Sequence, residues 1–266
     1  MKTEKTVRIG IIGCGGIANG KHLPALQKLP NASLVAFCDI IPEKAEQAKE
    51  KYGAPGAYAV QDYRALLEDK SIDAVHICTP NRSHCAITVD ALEAGKHVMC
   101  EKPMAISAAQ AKEMLLCAER CGKLLTIGYQ NRQLDQNRYL KQEALAGTFG
   151  QIYYSRAVAL RRRAVPTWGV FLNKEEQGGG DTLDGVRING IRHGKQYLLR
   201  PDFSAGGAAF FEGHSQNDPA LREAEQWLRA ITDGTEVCVK PHEAYTVTRI
   251  LEGIYRSAQS GDIYRF

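Results

Sequence analysis

A chain of 266 residues with 44% hydrophobic and 24% charged residues has the make-up of a folded protein of one large domain or two modest ones. Its net charge of +4 gives no grounds for a nucleic-acid partner, and Arg161-Arg162-Arg163, the one local basic cluster, reads as a solvated face. No apolar run approaches the ~18 residues of a membrane span, and no signal-type core follows the N-terminal MKTEKT, so no membrane partner and a cytoplasmic protein are expected. The cysteines agree with a reducing compartment. Cys38, Cys78 and Cys100 sit in apolar strand-like runs, and Cys117 and Cys121 lack the spacing of a redox or zinc pair, so no metal site is expected.

Val7, Ile9, Ile11 and Ile12 form a nearly continuous apolar run, as in a strand buried on both faces of a parallel sheet. The run ends in Gly13-Cys14-Gly15-Gly16-Ile17-Ala18, which fits G-x-G-x-x-G/A, and Ile17, Leu23 and Leu26 then give helical spacing. Gly13 permits the tight turn, Gly15 lets backbone approach a pyrophosphate, and Ala18 lets the helix pack closely on the strand. Gly16 and Ile17 open the helix N-terminus, whose N–H groups and dipole favour phosphate. A second strand, Leu34 to Cys38, stops at Asp39, 26 residues after Gly13. A carboxylate there accepts from ribose hydroxyls and repels a 2′-phosphate, and Ile40-Ile41 supply no arginine, which favours NAD over NADP.

The pattern then continues as alternating helices and strands. Helices are predicted over Pro42–Tyr52, Tyr63–Leu67, His84–Ala94 and Ser107–Cys121, with strands over Ala74–Cys78, His97–Cys100 and Leu124–Ile127. This is the order of an α/β doubly wound parallel sheet, expected to form a dinucleotide-binding domain over residues 1–127. Ligands in such sheets bind beyond the carboxyl ends of the strands. The segments that follow strand ends should therefore meet in one crevice: Gly13–Ile17, Asp39, Thr79-Pro80-Asn81, Glu101-Lys102 and Tyr129–Arg132. His84 opens a helix beside that crevice, with contact to the cofactor and plain helix-end packing equally open. His97 reads as structural, and His22 and His242 as structural or exposed.

From residue 128 to 266 an α+β domain with an open mixed or antiparallel sheet is expected. It comprises a helix over Gln133–Ala146, a strand over Gln151–Leu160 and short strands near Val186–Ile188, Gln196–Leu199 and Ala208–Phe211. Asp218 caps a further helix, and the last helix, His242 to Ser260, is placed to pack back on the first domain. Arg132, Arg163 and Trp168 are candidates for a substrate pocket, since flat aromatic faces and charged donors suit polyols.

The segments IGIIGCGGIA, HICTPNRSH, AGKHVMCEKP, IGYQNR and GTFGQI together resemble the glucose–fructose oxidoreductase / inositol dehydrogenase (Gfo/Idh/MocA) family. EKP directly after a strand, with TPN-x-x-H upstream, is the specific part. The resemblance implies an NAD(P)-dependent oxidoreductase with a Rossmann domain, acting on the CH–OH group of a sugar, inositol or related polyol. It implies a homodimer or homotetramer as well. In such proteins the EKP lysine lies near the nicotinamide and the carbinol, so Lys102 is the expected catalytic residue. An ammonium at that place stabilises developing alkoxide charge.

The same resemblance exposes a gap. The family follows its triple glycine with D-x-G-x-H, whereas here Gly178-Gly179-Gly180 leads into Asp181-Thr182-Leu183-Asp184-Gly185-Val186-Arg187. Arginine stands where the histidine belongs, and it does not relay protons at neutral pH. Asp181 onward matches a later part of the family, so a segment of roughly a hundred residues is expected to be missing at that junction. His193, in a glycine-flanked turn, is a weak substitute for the missing histidine. Two alternatives follow from the resemblance: an NAD-dependent glycoside hydrolase and an NAD-binding protein without turnover.

Overall fold

The computed structural model describes residues 5–157, 186–192, 195–199 and 218–266. They fall into two compact units. Of the described residues, the first unit holds 5–129 and 223–266, and the second holds 130–157, 186–192, 195–199 and 218–222.

The first unit is built on six parallel strands: β1 (Val7–Ile12), β2 (Ala32–Cys38), β3 (Tyr58–Val60), β4 (Ala74–Ile77), β5 (His97–Cys100) and β6 (Leu125–Ile127). Their order is β3-β2-β1-β4-β5-β6. The chain therefore reverses direction across the sheet between β1 and β4, the switch point where such sheets bind ligands. Val7, Ile9 and Ile11 have no exposed surface, as the apolar run predicts for a central strand. Within β1, Gly10 makes room for Leu66, since a Cβ there would lie 2.7 Å from Leu66 Cδ2.

Helices cover the sheet: α1 (Leu23–Gln27), α2 (Pro42–Tyr52), α3 (Tyr63–Glu68), α4 (His84–Glu93) and α5 (Ala108–Cys121). Two details depart from the sequence reading. The helix after the glycine loop starts as a π-helical turn, Ala18–His22, and becomes α1 only at Leu23. Pro24 explains this, because it has no N–H to close a regular turn. β3 was not anticipated, since three residues after a glycine turn carry too little pattern.

The C-terminal part supplies α7 (Pro219–Asp233) and α8 (Pro241–Ser260). Glu223–Phe266 cluster with the first unit. Thr126 Oγ1 in β6 donates to Val239 O at 3.0 Å, and Glu252 of α8 accepts from Ala108 N at the start of α5 at 2.7 Å. Buried apolar surface around Val239 and Ala244 joins the core of the sheet.

The second unit contains a short 3-10 turn (Gln130–Gln133), α6 (Asp135–Leu145) and an antiparallel sheet ordered β7 (Gln151–Ala157), β8 (Val186–Arg192), β9 (Lys195–Leu199). The expected strand at Ala208–Phe211 and the junction after Gly180 lie outside the described residues.

Candidate cofactor and active site

The glycine loop is shaped by two different demands. Gly13 has φ +91°, and a Cβ there would meet Cys78 O at 2.7 Å, so the fold itself requires glycine. That close approach follows from the sheet: Gly13 N donates to Cys38 O and Cys78 N to Ile12 O, both at 2.7 Å. Gly15 and Gly16 are different. A Cβ on either would meet nothing within 4 Å, so the fold leaves these positions open. A dinucleotide laid over the loop is what a side chain there would obstruct.

Asp39 fits the same ligand. Its Oδ2 accepts from Cys14 N and its Oδ1 from Ile41 N, both at 2.9 Å, which fixes the carboxylate at the end of β2 beside the loop. Each oxygen keeps a further lone pair for a ribose hydroxyl. Asn19, which the sequence reading passed over, braces the loop by donating from Nδ2 to Cys14 O at 2.8 Å and to Gly15 O at 3.0 Å. The chain's residues thus suit a nicotinamide dinucleotide.

The loops after β4 and β5 are tied to each other. His84 has no exposed surface, and its ring lies between Pro103 O at 2.8 Å and Thr79 O at 2.9 Å. Burial holds His84 below its ordinary pKa, against the pull of the two carbonyls. A neutral ring has one N–H, so it donates to one of these two carbonyls at a time, and its burial between the two loops holds them together. Thr79 Oγ1 accepts from Ser83 Oγ at 2.8 Å, Pro80 O accepts from the same hydroxyl, and Asn81 is buried.

Lys102 is half-buried just past β5, and its backbone N–H donates to Glu101 Oε2 at 3.1 Å. Glu101 is buried, and its other oxygen receives Lys21 Nζ at 2.7 Å and His22 Nε2 at 2.8 Å. Burial alone would raise the Glu101 pKa, but the His22 hydrogen bond and the Lys21 charge hold the carboxyl well below its usual range. The sequence reading gave Lys21 no role and left His22 structural or exposed; both are buried partners of the EKP motif. No local signal marks them, since Glu101 lies 80 and 79 residues away in the sequence.

Gly13 to Ile17, Asp39, Thr79 to Asn81, Glu101 and Lys102 all follow the carboxyl ends of parallel strands of one sheet. Arg132 lies on the 3-10 turn of the other unit. Arg163, Trp168 and His193 lie outside the described residues.

Comparison with known proteins agrees with this geometry. Residues 7–129 match the Gfo/Idh/MocA model, an oxidoreductase family with an NAD-binding Rossmann fold. The chain is 41% identical over 182 residues to D-glucoside 3-dehydrogenase of Escherichia coli K12, covering 68% of this chain and 51% of that protein. It is 33% identical over 236 residues to inositol 2-dehydrogenase of Salmonella paratyphi B, covering 88% of this chain and 67% of that protein. The chain thus spans between half and two thirds of the length of these relatives. An oxidoreductase domain protein from Kribbella flavida shares the fold, with TM-score 0.80 at 19% identity over 97% of this chain and 98% of that one. Among other neighbours of the same fold, one from Bordetella pertussis was solved with NADH (TM-score 0.73, 18% identity, 98% of both chains). One from Actinomadura kijaniata was solved with NADP (TM-score 0.69, 18% identity, 98% of this chain and 100% of that one). With a relative that matches over nearly nine tenths of the chain, the protein belongs to the Gfo/Idh/MocA family of NAD(P)-binding sugar and polyol oxidoreductases.

Proposed function

We propose that the protein is an NAD-dependent dehydrogenase that oxidises a secondary alcohol of a sugar, inositol or related polyol, with Lys102 assisting loss of the carbinol proton. The observation that carries this reading is that Lys102 follows β5 on the same sheet edge as the open glycine loop, anchored by a buried and ionised Glu101. NAD, when bound, supplies the hydride acceptor. The open backbone at Gly15 and Gly16 receives the pyrophosphate, helped by the helix N-terminus behind it. The fixed Asp39 carboxylate accepts from the ribose hydroxyls and disfavours a 2′-phosphate, which supports NAD over NADP. Thr79, Pro80 and Asn81 border the cofactor from the end of β4. The positive Lys102 side chain stabilises the carbinol oxygen as negative charge develops there.

The family relationship supports a homodimer or homotetramer. The buried thiols Cys14, Cys38, Cys78, Cys85 and Cys100 support a reducing, cytoplasmic setting. Among the described residues no helix is long and apolar enough to cross a membrane. The test is Lys102→Ala. Turnover of glucosides or inositols should fall by about a thousandfold while NAD affinity stays within about threefold. Equal loss of both would refute the role given to Lys102.

A further inference from the structure

Glu101 belongs to a larger cluster of buried charged and polar side chains, the rest of which the proposed reaction does not use. Lys21, His22, His76, Glu101, Glu223 and Trp227 are each at most 6% exposed. Lys21 Nζ bridges two carboxylates, Glu101 Oε1 at 2.7 Å and Glu223 Oε2 at 2.8 Å. His22 Nε2 lies 2.8 Å from Glu101 Oε1, and His22 Nδ1 lies 3.0 Å from His76 Nδ1. The packing around this cluster is tight: a Cβ on Gly128 would meet Glu101 Oε1 at 2.8 Å and Lys21 Nζ at 3.1 Å.

The chemistry of the donors orders the protons. An ionised Glu101 only accepts, so His22 Nε2 carries the hydrogen of that bond. In a neutral His22 ring Nδ1 is then an acceptor, so His76 donates from Nδ1 and keeps a lone pair on Nε2. His76 Nε2, Trp227 Nε1 and Glu223 Oε1 have no hydrogen-bond partner among the described residues. Trp227 follows Glu223 by one helical turn of α7, and its ring meets His76 edge-on at 6.4 Å. One ammonium thus serves two buried carboxylates, a balance that fails if either kind of partner is removed.

We propose that Lys21 and Glu223 are positioning residues for Lys102. They act through Glu101, whose Oε1 is clamped by Lys21 while Oε2 holds the Lys102 backbone. Glu223 draws Lys21 from the other side and so makes the C-terminal segment part of the clamp. The inference rests on the reading of Lys102 as the group that assists proton loss. It adds that the group's placement is set by a charge balance rather than by packing alone. Burial pushes the Glu223 carboxyl up, so it is the member readier to hold a proton, while Glu101 stays ionised.

The test compares Lys21→Met, Glu223→Gln and the double variant of the full chain with NAD and a sugar or inositol that turns over. Lys21→Met leaves two buried carboxylates without a cation and should lower kcat about thirtyfold, with the NAD dissociation constant within about threefold. Glu223→Gln alone should lower kcat about threefold, and added to Lys21→Met it should restore about tenfold by removing the second charge. A double variant no better than Lys21→Met would overturn the charge balance and leave a packing role only. If Lys21→Met does not fold, Lys21→Gln keeps a donor without the charge and carries the same expectation.

Acetic anhydride labelling of Lys102, read by peptide mass spectrometry in the presence of NAD, gives a readout independent of turnover. Its rate should change at least about threefold in Lys21→Met and return in the double variant. An unchanged rate would overturn the positioning role. A changed rate in Lys21→Met, where the wild type oxidises no polyol, would uphold it and refute the dehydrogenase reading instead.

Discussion

Gly13 and Gly15 occupy neighbouring places in one motif, yet they answer to different physics. Gly13 has a positive φ and backbone within 2.7 Å of its absent Cβ, so Gly13→Ala should lower stability by about 1–3 kcal/mol, read in a urea titration. Gly15→Val faces open space and should leave the urea midpoint nearly unchanged while abolishing NAD binding. Unchanged NAD affinity in Gly15→Val would remove the cofactor loop from the account. The residues of this scale that the sequence revealed are those whose job is local. A tight turn, a carboxylate at a strand end and a lysine after a strand each announce themselves within a few positions. Lys21 and His22 gave no such notice, because their partner Glu101 stands 80 and 79 residues away and their burial follows from the strand order.

The elements show the same division. Helix ends were legible where a cap or proline marks them: Pro42 opens α2, the Ser107 side chain accepts from Gln110 N at the start of α5, and Gly122 closes α5 in the left-handed region. β3 and the π-helical turn were not, the first being too short and the second arising from one proline's missing donor. α7 was recognisable as a helix from its apolar spacing, but its attachment to the first unit depends on contacts with distant residues. Trp227 is 1% exposed, and its ring meets His76 of the sheet edge-on. Trp227→Ala should cost about 3–5 kcal/mol and loosen the C-terminal segment, read as faster hydrogen exchange in both α7 and α8. Exchange confined to α7 would show that the two helices are held separately.

For the whole molecule, the buried titrating groups define a pH range of stability. Burial above all, with the Lys21 charge nearby, holds His76 well below its ordinary 6.5, so the unfolded chain takes up a proton first and stability is lost as pH falls below that value. His84 and His97, both held low by burial, act in the same direction. Glu101 adds a further loss below its ordinary 4.5, whereas the contribution of Glu223, raised by burial, is fully present below 4.5 and lost as pH rises above it. On the alkaline side burial pushes Cys14 and Cys38 up to about 12, so their contribution is present below the ordinary 9.0 and lost above it. The thermal midpoint should therefore be highest between about pH 6.5 and 9.0, and a midpoint that rises on acidification below 6.5 would contradict these buried states.

The doubly wound sheet was legible because its pattern repeats over five of its six strands. The three antiparallel strands β7, β8 and β9 were each legible from short runs of β-type residues. Transfer of a labelled hydrogen shows whether the cofactor loop and Lys102 act together at one sheet edge. Sugars and inositols deuterated at each carbinol carbon would be incubated with NAD and the protein, and the recovered cofactor examined by NMR. The account predicts deuterium on one face of the nicotinamide C4 from at least one carbinol, and none with Lys102→Ala. Saturable NAD binding with no deuterium in the cofactor from any sugar or inositol would contradict it, leaving a protein that binds the dinucleotide without turning it over.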